Sequence, residues 1–382
     1  MTITLNGTTG IVNTGSETIT GALTAASFNS ASTFGFKNRL INSAMVIDQR
    51  NAGASVTPSS NPTYTLDRWN LTFSQNSKFS IQQTPSATET GFATRVGAGF
   101  TNYLAATVVT SVSVGAGDYF AIQQLIEGLN VSDLAWGTAN AKTITLSFWV
   151  YSSLGPGTFG GALSNSAGNR SYPFSYNISA ANTWQQITVT VAGDTSGTWL
   201  TTNGIGVYVR FGLGAGATFS GTAGAWAASN YFSATSAVSV VGTGSATFYI
   251  TGVQLETGTV ATTFEYRPYG TELALCQRYF AKLSASGASY TAFGVGRGNG
   301  ASSVFAYLKY PTTMRSAPTT VQSNTGVNYP SQASITAITA TYDGLDSSGV
   351  EMSTSATVGS GICALWCANN NGAAFVTLSA EL

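Results

Sequence analysis

Histidine is absent from the 382 residues, and that omission removes most nucleophilic and metal chemistry. Ser-His-Asp and Cys-His nucleophiles need an imidazole base, and mixed zinc sites need imidazole ligands. Cys276, Cys363 and Cys367 are the only cysteines. The 363/367 pair is not Cys-x-x-Cys, and no second pair completes a tetrahedral site. Its even spacing puts both thiols on one face of a strand, as small apolar side chains. No metal and no cofactor is therefore expected. Glycan hydrolysis needs two carboxylates facing one cleft about 5–9.5 Å apart, whereas Asp118, Glu127, Asp133 and Asp194 are scattered among turns and strand ends. The glycine-rich runs at 212–216 and 294–298 precede neither a helix nor a Lys-Ser pair, so they are turns or bulges, not phosphate loops.

Binding is the chemistry these residues favour. Sugar rings stack on aromatic faces, ringed by Asn, Asp and Arg hydrogen bonds, and 12% of this chain is aromatic. Trp69, Trp149 and Trp184 lie in or beside inward-facing patterns and read as core. Trp136, Trp199 and Trp226 lie in Gly/Ala/Thr-rich loops, where they either bind a ligand or pack beneath the loop. Near the C-terminus, outward positions and loops offer Tyr290, Arg297, Asn299, Tyr307, Tyr310 and Asn328. Loops on a rigid β-scaffold are where recognition concentrates.

The elements that would position these residues are strands. Ile144, Leu146, Phe148 and Val150 alternate with polar neighbours, as do Ile187, Val189 and Val191. Val207, Val209, Phe211 and Leu213 repeat the pattern, leaving Tyr208 and Arg210 on the opposite face. Residues 118–127 read as strand or short helix, and 248–256 as a last strand. No βα alternation occurs, so the fold class is all-β: an antiparallel jelly-roll or β-sandwich body over 34–265. A connector and one short helix follow over 266–283, then a smaller C-terminal β-sandwich over 284–382. The helix is expected from 271 to 283, with Thr271 as N-cap. Leu273, Cys276, Phe280 and Leu283 recur at spacings of 3, 4 and 3, which predicts an a/d seam clamping three copies. Docking of that stripe onto the chain's own domains is the alternative. Residues 1–33 alternate weakly and cannot bury a core alone.

Fifteen basic and fifteen acidic residues cancel, so no basic stripe exists for nucleic acid or an anionic membrane. No apolar run reaches the roughly 18 residues of a membrane span. The first ten residues lack the regions of a signal peptide, so synthesis and folding in a cytoplasm are expected, and the resemblance below implies a bacterial one. With so few charges, apolar surface is expected to be buried between subunits.

The order of motifs resembles a module of tail fibres and receptor-binding proteins of tailed bacteriophages. The matching residues are Asn38-Arg39-Leu40-Ile41-Asn42, Asp48-Gln49-Arg50-Asn51, Leu66-Asp67-Arg68-Trp69 and Gln124-Leu125-Ile126-Glu127-Gly128. They continue through Leu146-Ser147-Phe148-Trp149-Val150, Thr251-Gly252-Val253-Gln254-Leu255-Glu256, Ala261-Thr262-Thr263-Phe264-Glu265 and Leu275-Cys276-Gln277-Arg278-Tyr279-Phe280. Met314-Arg315-Ser316-Ala317-Pro318 resembles a segment of the same proteins' distal tips. The resemblance covers about 34–283. It implies a jelly roll similar to carbohydrate-binding modules, a homotrimer and a distal tip domain. It also implies that 1–33 attaches to a tail adaptor, nozzle or baseplate protein of the virion. The expected function is a tail fibre or short tailspike, non-enzymatic, binding host surface polysaccharide or protein during adsorption. A head fibre or capsid decoration protein is the alternative, and a polysaccharide depolymerase the second. Within these motifs Glu127 and Asp67 are expected to pair with Arg68 or Arg50 and pin loops.

Overall fold

The computed structural model describes residues 36–382 apart from 90, 98 and 329–331. The 1–33 segment, with its expected docking role, lies outside the described residues. The described chain is all-β, with antiparallel sheets and two short α-helices.

Two sheets face each other between residues 63 and 257. One runs, in spatial order, Thr63–Leu66, Trp69–Phe73, Tyr119–Glu127, Ile205–Ala215, Gly157–Ser164 and Ser171–Ile178. The other runs Phe79–Pro85, Asn102–Val108, Thr247–Thr257, Ile144–Ser152 and Gln185–Val191. Period-two alternation decides what lies between them. Ile144, Leu146, Phe148 and Val150 share one core with Val207, Val209, Phe211 and Leu213, each worth about 1.5–3 kcal/mol when fully buried. Trp69 joins them, 6.3 Å from Phe211. The ambiguous 118–127 stretch is a strand because it pairs on both sides.

The opposite face of the five-stranded sheet carries a second aromatic layer. Tyr151 and Tyr249 stack at 4.9 Å and 7°. Tyr103 and Trp184 pack beside them, under the helix Phe92–Val96. Trp184 is thus buried, but outside the sandwich core.

The smaller expected sandwich takes the form of a closed barrel. Its strands are Ala292–Gly298, Ser303–Lys309, Ser347–Thr354, Gln332–Asp343, Thr325–Asn328 and Cys363–Ala368. Closure removes the edges that an open sheet would expose. A three-stranded sheet of Phe280–Ser284, Phe375–Ser379 and Thr319–Ser323 accompanies it.

The connecting helix needs correction. It spans Tyr269–Gln277, and its N-cap is Pro268 without a side-chain cap bond, so Thr271 does not cap it. Phe280 to Ser284 instead pairs with Ser379 to Phe375, a long-range ladder that overrides local helix propensity. Leu273, Cys276, Phe280 and Leu283 therefore do not form one helical seam. Leu273 and Cys276 pack with Ile41, Ile47 and Tyr279. The Arg50 guanidinium lies 3.6 Å over the Phe280 ring, and Leu283 packs on the barrel core. Within the single chain Cys276 and Phe280 are buried, and Leu273 and Leu283 are half-buried.

The sequence motifs meet at this junction. Asn42 Nδ2 donates to the Ile47 and Asp67 carbonyls, and Trp69 Nε1 donates to the Asn42 carbonyl. The Gln124 amide bonds both backbone groups of Ile41. Glu127 accepts from Arg278 at 2.7 and 3.0 Å and from Tyr279 Oη at 2.6 Å. Arg68 and Arg50 both pair with Glu381. The acidic residues do pin loops, but with partners other than those expected. Asp67 accepts from the Gln49 backbone N–H and side-chain amide, both at 2.7 Å.

Asp67 yields a pH prediction. Burial pushes its carboxyl up to about 6, against the opposing pull of Arg50 and the Gln49 donors, while an unfolded aspartate titrates near about 3.9. Between these values the folded state holds a proton that the unfolded state has lost. This group's contribution to stability therefore falls as pH rises from about 4 to about 6, by roughly 3 kcal/mol, and is flat above. A carboxyl-carbon NMR titration should place the Asp67 midpoint near 6; a midpoint near 4 would refute this.

Candidate functional site

The five-stranded sheet places four side chains in a square on its outer face. Ser147 lies opposite Thr188, and Trp149 opposite Gln186. Their parity is opposite to that of Leu146, Phe148 and Ile187, so the alternation that buries the latter turns the former outward. Trp149, expected as core, is half-buried on this face.

A bulge gives this surface its depth. Pairing between 247–257 and 144–152 shifts register between Thr251 and Gln254. Gly252 within the bulge has φ +58°, and a Cβ there would lie 2.7 Å from the Phe100 ring and 3.1 Å from Trp149. Glycine is required both for the left-handed backbone and for the approach of the two rings.

Residues 261–266 form the facing wall, and the motif ending the last body strand holds them there. Glu265 N donates to Gln254 Oε1 at 2.8 Å. Thr262 donates from its backbone to Glu256 Oε1 at 2.8 Å and from its hydroxyl to Oε2 at 2.6 Å. Phe264 then packs edge-on against Phe100 at 4.9 Å, with Tyr266 5.2 Å from Phe100. The result is a cleft of about 550 Å³, within the usual range for small-molecule sites. Phe100, Trp149, Phe264 and Tyr266 line it together with Ser147, Gln186, Thr188 and Thr262. Among the described residues, none of the side chains lining it is a carboxylate, lysine or arginine. Burial raises the Tyr266 phenol above its ordinary value, so it stays neutral at physiological pH. Among the described residues no group of three acids or cysteines is placed to hold a metal, and no helix is long and apolar enough to cross a membrane.

Trp136, Trp199 and Trp226 converge, but on one another. Their centroids lie 4.8–5.3 Å apart with every pair near edge-to-face. Each indole N–H is taken by the chain itself: Trp136 by the Lys142 carbonyl, Trp226 by the Ala192 carbonyl, Trp199 by Asp194 and the Ser196 carbonyl. Arg170 holds Asp194 from the other side at 2.6 and 2.8 Å. This trio packs against the core between the sheets, with Trp136 inside it and Trp199 and Trp226 half-buried on it.

In the barrel, Arg297 and Tyr307 share an outer face. Arg297 lies opposite Phe305, and Tyr307 opposite Gly349, which in turn faces Tyr342. Asn299 reaches Glu351 at its margin. Tyr342, which strand alternation alone does not single out, is 64% exposed there, its ring 5.9 Å from Phe305. Tyr310 is corrected to core: it follows Val304, Ala306 and Leu308 inward, and its hydroxyl meets Asp343. Tyr290 and Asn328 are exposed elsewhere on the unit.

No family model matches the chain, and no curated protein matches it. Among solved structures it is similar to the enzymatically active domain of tailspike protein 4 of bacteriophage CBA120, at 12% identity and TM-score 0.29. That match covers 53% of this chain and only 22% of the tailspike chain. A Bacteroides thetaiotaomicron protein provisionally assigned a sugar-binding role matches at 11% identity and TM-score 0.33, over 58% of this chain and 100% of that one. The family 11 carbohydrate-binding module of a Clostridium thermocellum cellulosomal cellulase matches at 10% and TM-score 0.25, over 56% and 99%. Likeness this distant leaves function to be read from this chain's own side chains.

Proposed function

We propose that this chain is a non-enzymatic, glycan-binding adhesin of a tailed-phage virion, and that its body cleft holds the sugar. The cleft carries the proposal. It combines ring faces for the apolar faces of pyranoses with an amide and hydroxyls for their edges, the mixture that small-ligand sites use. A lining without carboxylates supports binding rather than hydrolysis. The virion assignment rests on the ordered motifs, whose polar members hold the cleft wall and the junction. Assembly as a trimer and attachment through 1–33 belong to the same proposal. The barrel face around Tyr307 is shallower, and we place the glycan in the cleft.

Calorimetric titration with host surface polysaccharide tests this reading. Trp149→Ala and the exposed Gln186→Ala should each weaken binding about tenfold or more, as central aromatic and polar contacts do. Gln186→Ala should leave the melting temperature unchanged. Undiminished affinity in both variants would reject the cleft.

A further inference from the structure

The cleft has a neighbour across one ridge of rings. Phe264 and Tyr266, 4.9 Å apart, line the cleft on one side and a second hollow of about 170 Å³ on the other. Tyr269 and Val46 wall this hollow, with Tyr266 and Tyr269 53% and 63% exposed. The ridge is already in place: a Cβ at Gly99 would lie 2.4 Å from Tyr266 Oη, so only glycine there leaves that ring where it stands.

The charges along this path are lopsided. Among the described residues the first hollow has no charged lining, while the second is bordered by Glu265, Glu272 and Arg267. The guanidinium is consumed internally. Its Nε donates to Glu265 at 2.7 Å, Nη1 to the Leu40 carbonyl at 3.0 Å and Glu272 at 3.5 Å, and Nη2 to the Asn38 carbonyl. Two carboxylates against one cation leave the border net negative. The Lys37 ammonium lines neither hollow and donates to the Thr262 hydroxyl and Thr263 carbonyl.

Resting on the glycan-binding reading above, we infer that the site takes an uncharged oligosaccharide spanning both hollows and discriminates against acidic sugars. A uronic acid or phosphate group would be desolvated in the first hollow, whose described lining carries no cation, the Lys37 ammonium being committed to the Thr262 hydroxyl and the Thr263 carbonyl. In the second it would face like charge. A neutral chain meets neither penalty, and its apolar ring faces match Trp149 on one side of the ridge and Tyr269 on the other.

The probes are β-1,4-linked glucose, mannose and galactose oligomers of two to six residues and their C6-oxidised counterparts, titrated against the full chain. At least one neutral series should bind, tightening with length until both hollows are filled. Its oxidised counterpart should bind at least tenfold more weakly. Tyr269→Ala should reduce the affinity of the long oligomer about tenfold, to that of the short one, and leave the short one unchanged, whereas Trp149→Ala should weaken both. Short oligomers that bind through Trp149 while length and Tyr269 have no effect would overturn the spanning site and spare the cleft. Oxidised oligomers binding as well as neutral ones, or alone, would overturn the charge selection. Binding by neither series would overturn the inference and the glycan reading together.

Discussion

Replacing Glu381 by alanine should loosen the barrel from the body and lower stability by about 3–5 kcal/mol, the usual effect of stripping one partner from a buried ion pair. Arg68 is 1% exposed, lies 3.6 Å over the Tyr279 ring and donates to the Leu125 carbonyl. Burial alone would push its pKa down. The Glu381 carboxylate, with Tyr64 and Tyr279, more than reverses this and keeps the guanidinium charged. The same carboxylate holds Arg50 at 2.6 Å. Without it, a cation that cannot shed its proton remains in a dry junction. Urea titration followed by tryptophan fluorescence should reveal the loss, with the unfolding of barrel and body separating into two steps. Arg68→Met combined with Glu381→Leu should recover most of the stability, because well-packed apolar substitutes often match a buried pair. A Glu381→Ala loss below about 1 kcal/mol would place the pair among weak surface bridges.

Trp136→Ala should be nearly as damaging and yet leave glycan affinity unchanged. Trp136 is buried between Trp199 and Trp226, and removing a packed indole leaves a cavity worth about 3–5 kcal/mol. Its N–H bond to the Lys142 carbonyl would be lost as well. Folded Trp136→Ala at low temperature should bind sugar like the parent protein. Trp149→Ala should show the reverse weighting, with a large affinity loss and a smaller stability loss. An affinity loss in Trp136→Ala at undiminished stability would move the binding site to this trio.

Much of the fold was legible because alternation reports burial directly. The alternating apolar residues of 144–150 and 207–213 all lie in the core between the two sheets, as their pattern requires. The same parity placed Trp149 outside and Tyr310 inside, so both misassignments came from weighing residue type above phase. Other features were not readable locally. Residues 280–284 look like the continuation of a helix, and only their ladder with 375–379 makes them a strand. The cleft draws Phe100, Trp149, Gly252 and Phe264 from four separate segments, and Arg68 meets a carboxylate 313 residues away. Such meetings depend on sheet order, which alternation does not encode.

The way the chain enters and leaves its C-terminal unit has a consequence for how such molecules change. Phe280 pairs with Ser379, and Ala380 N donates to the Tyr279 carbonyl at 2.8 Å, so entrance and exit lie side by side. Everything between is a cassette plugged into one socket, whose contacts include Glu127–Arg278 on the way in, Arg68–Glu381 on the way out, and Arg315 of the cassette donating to the Asn203 carbonyl of the body at 2.8 Å. A different β-unit with closely spaced ends could replace residues 281–378 without disturbing a strand of the body. The surface of the C-terminal unit is thus free to diversify while the body that holds it stays constant.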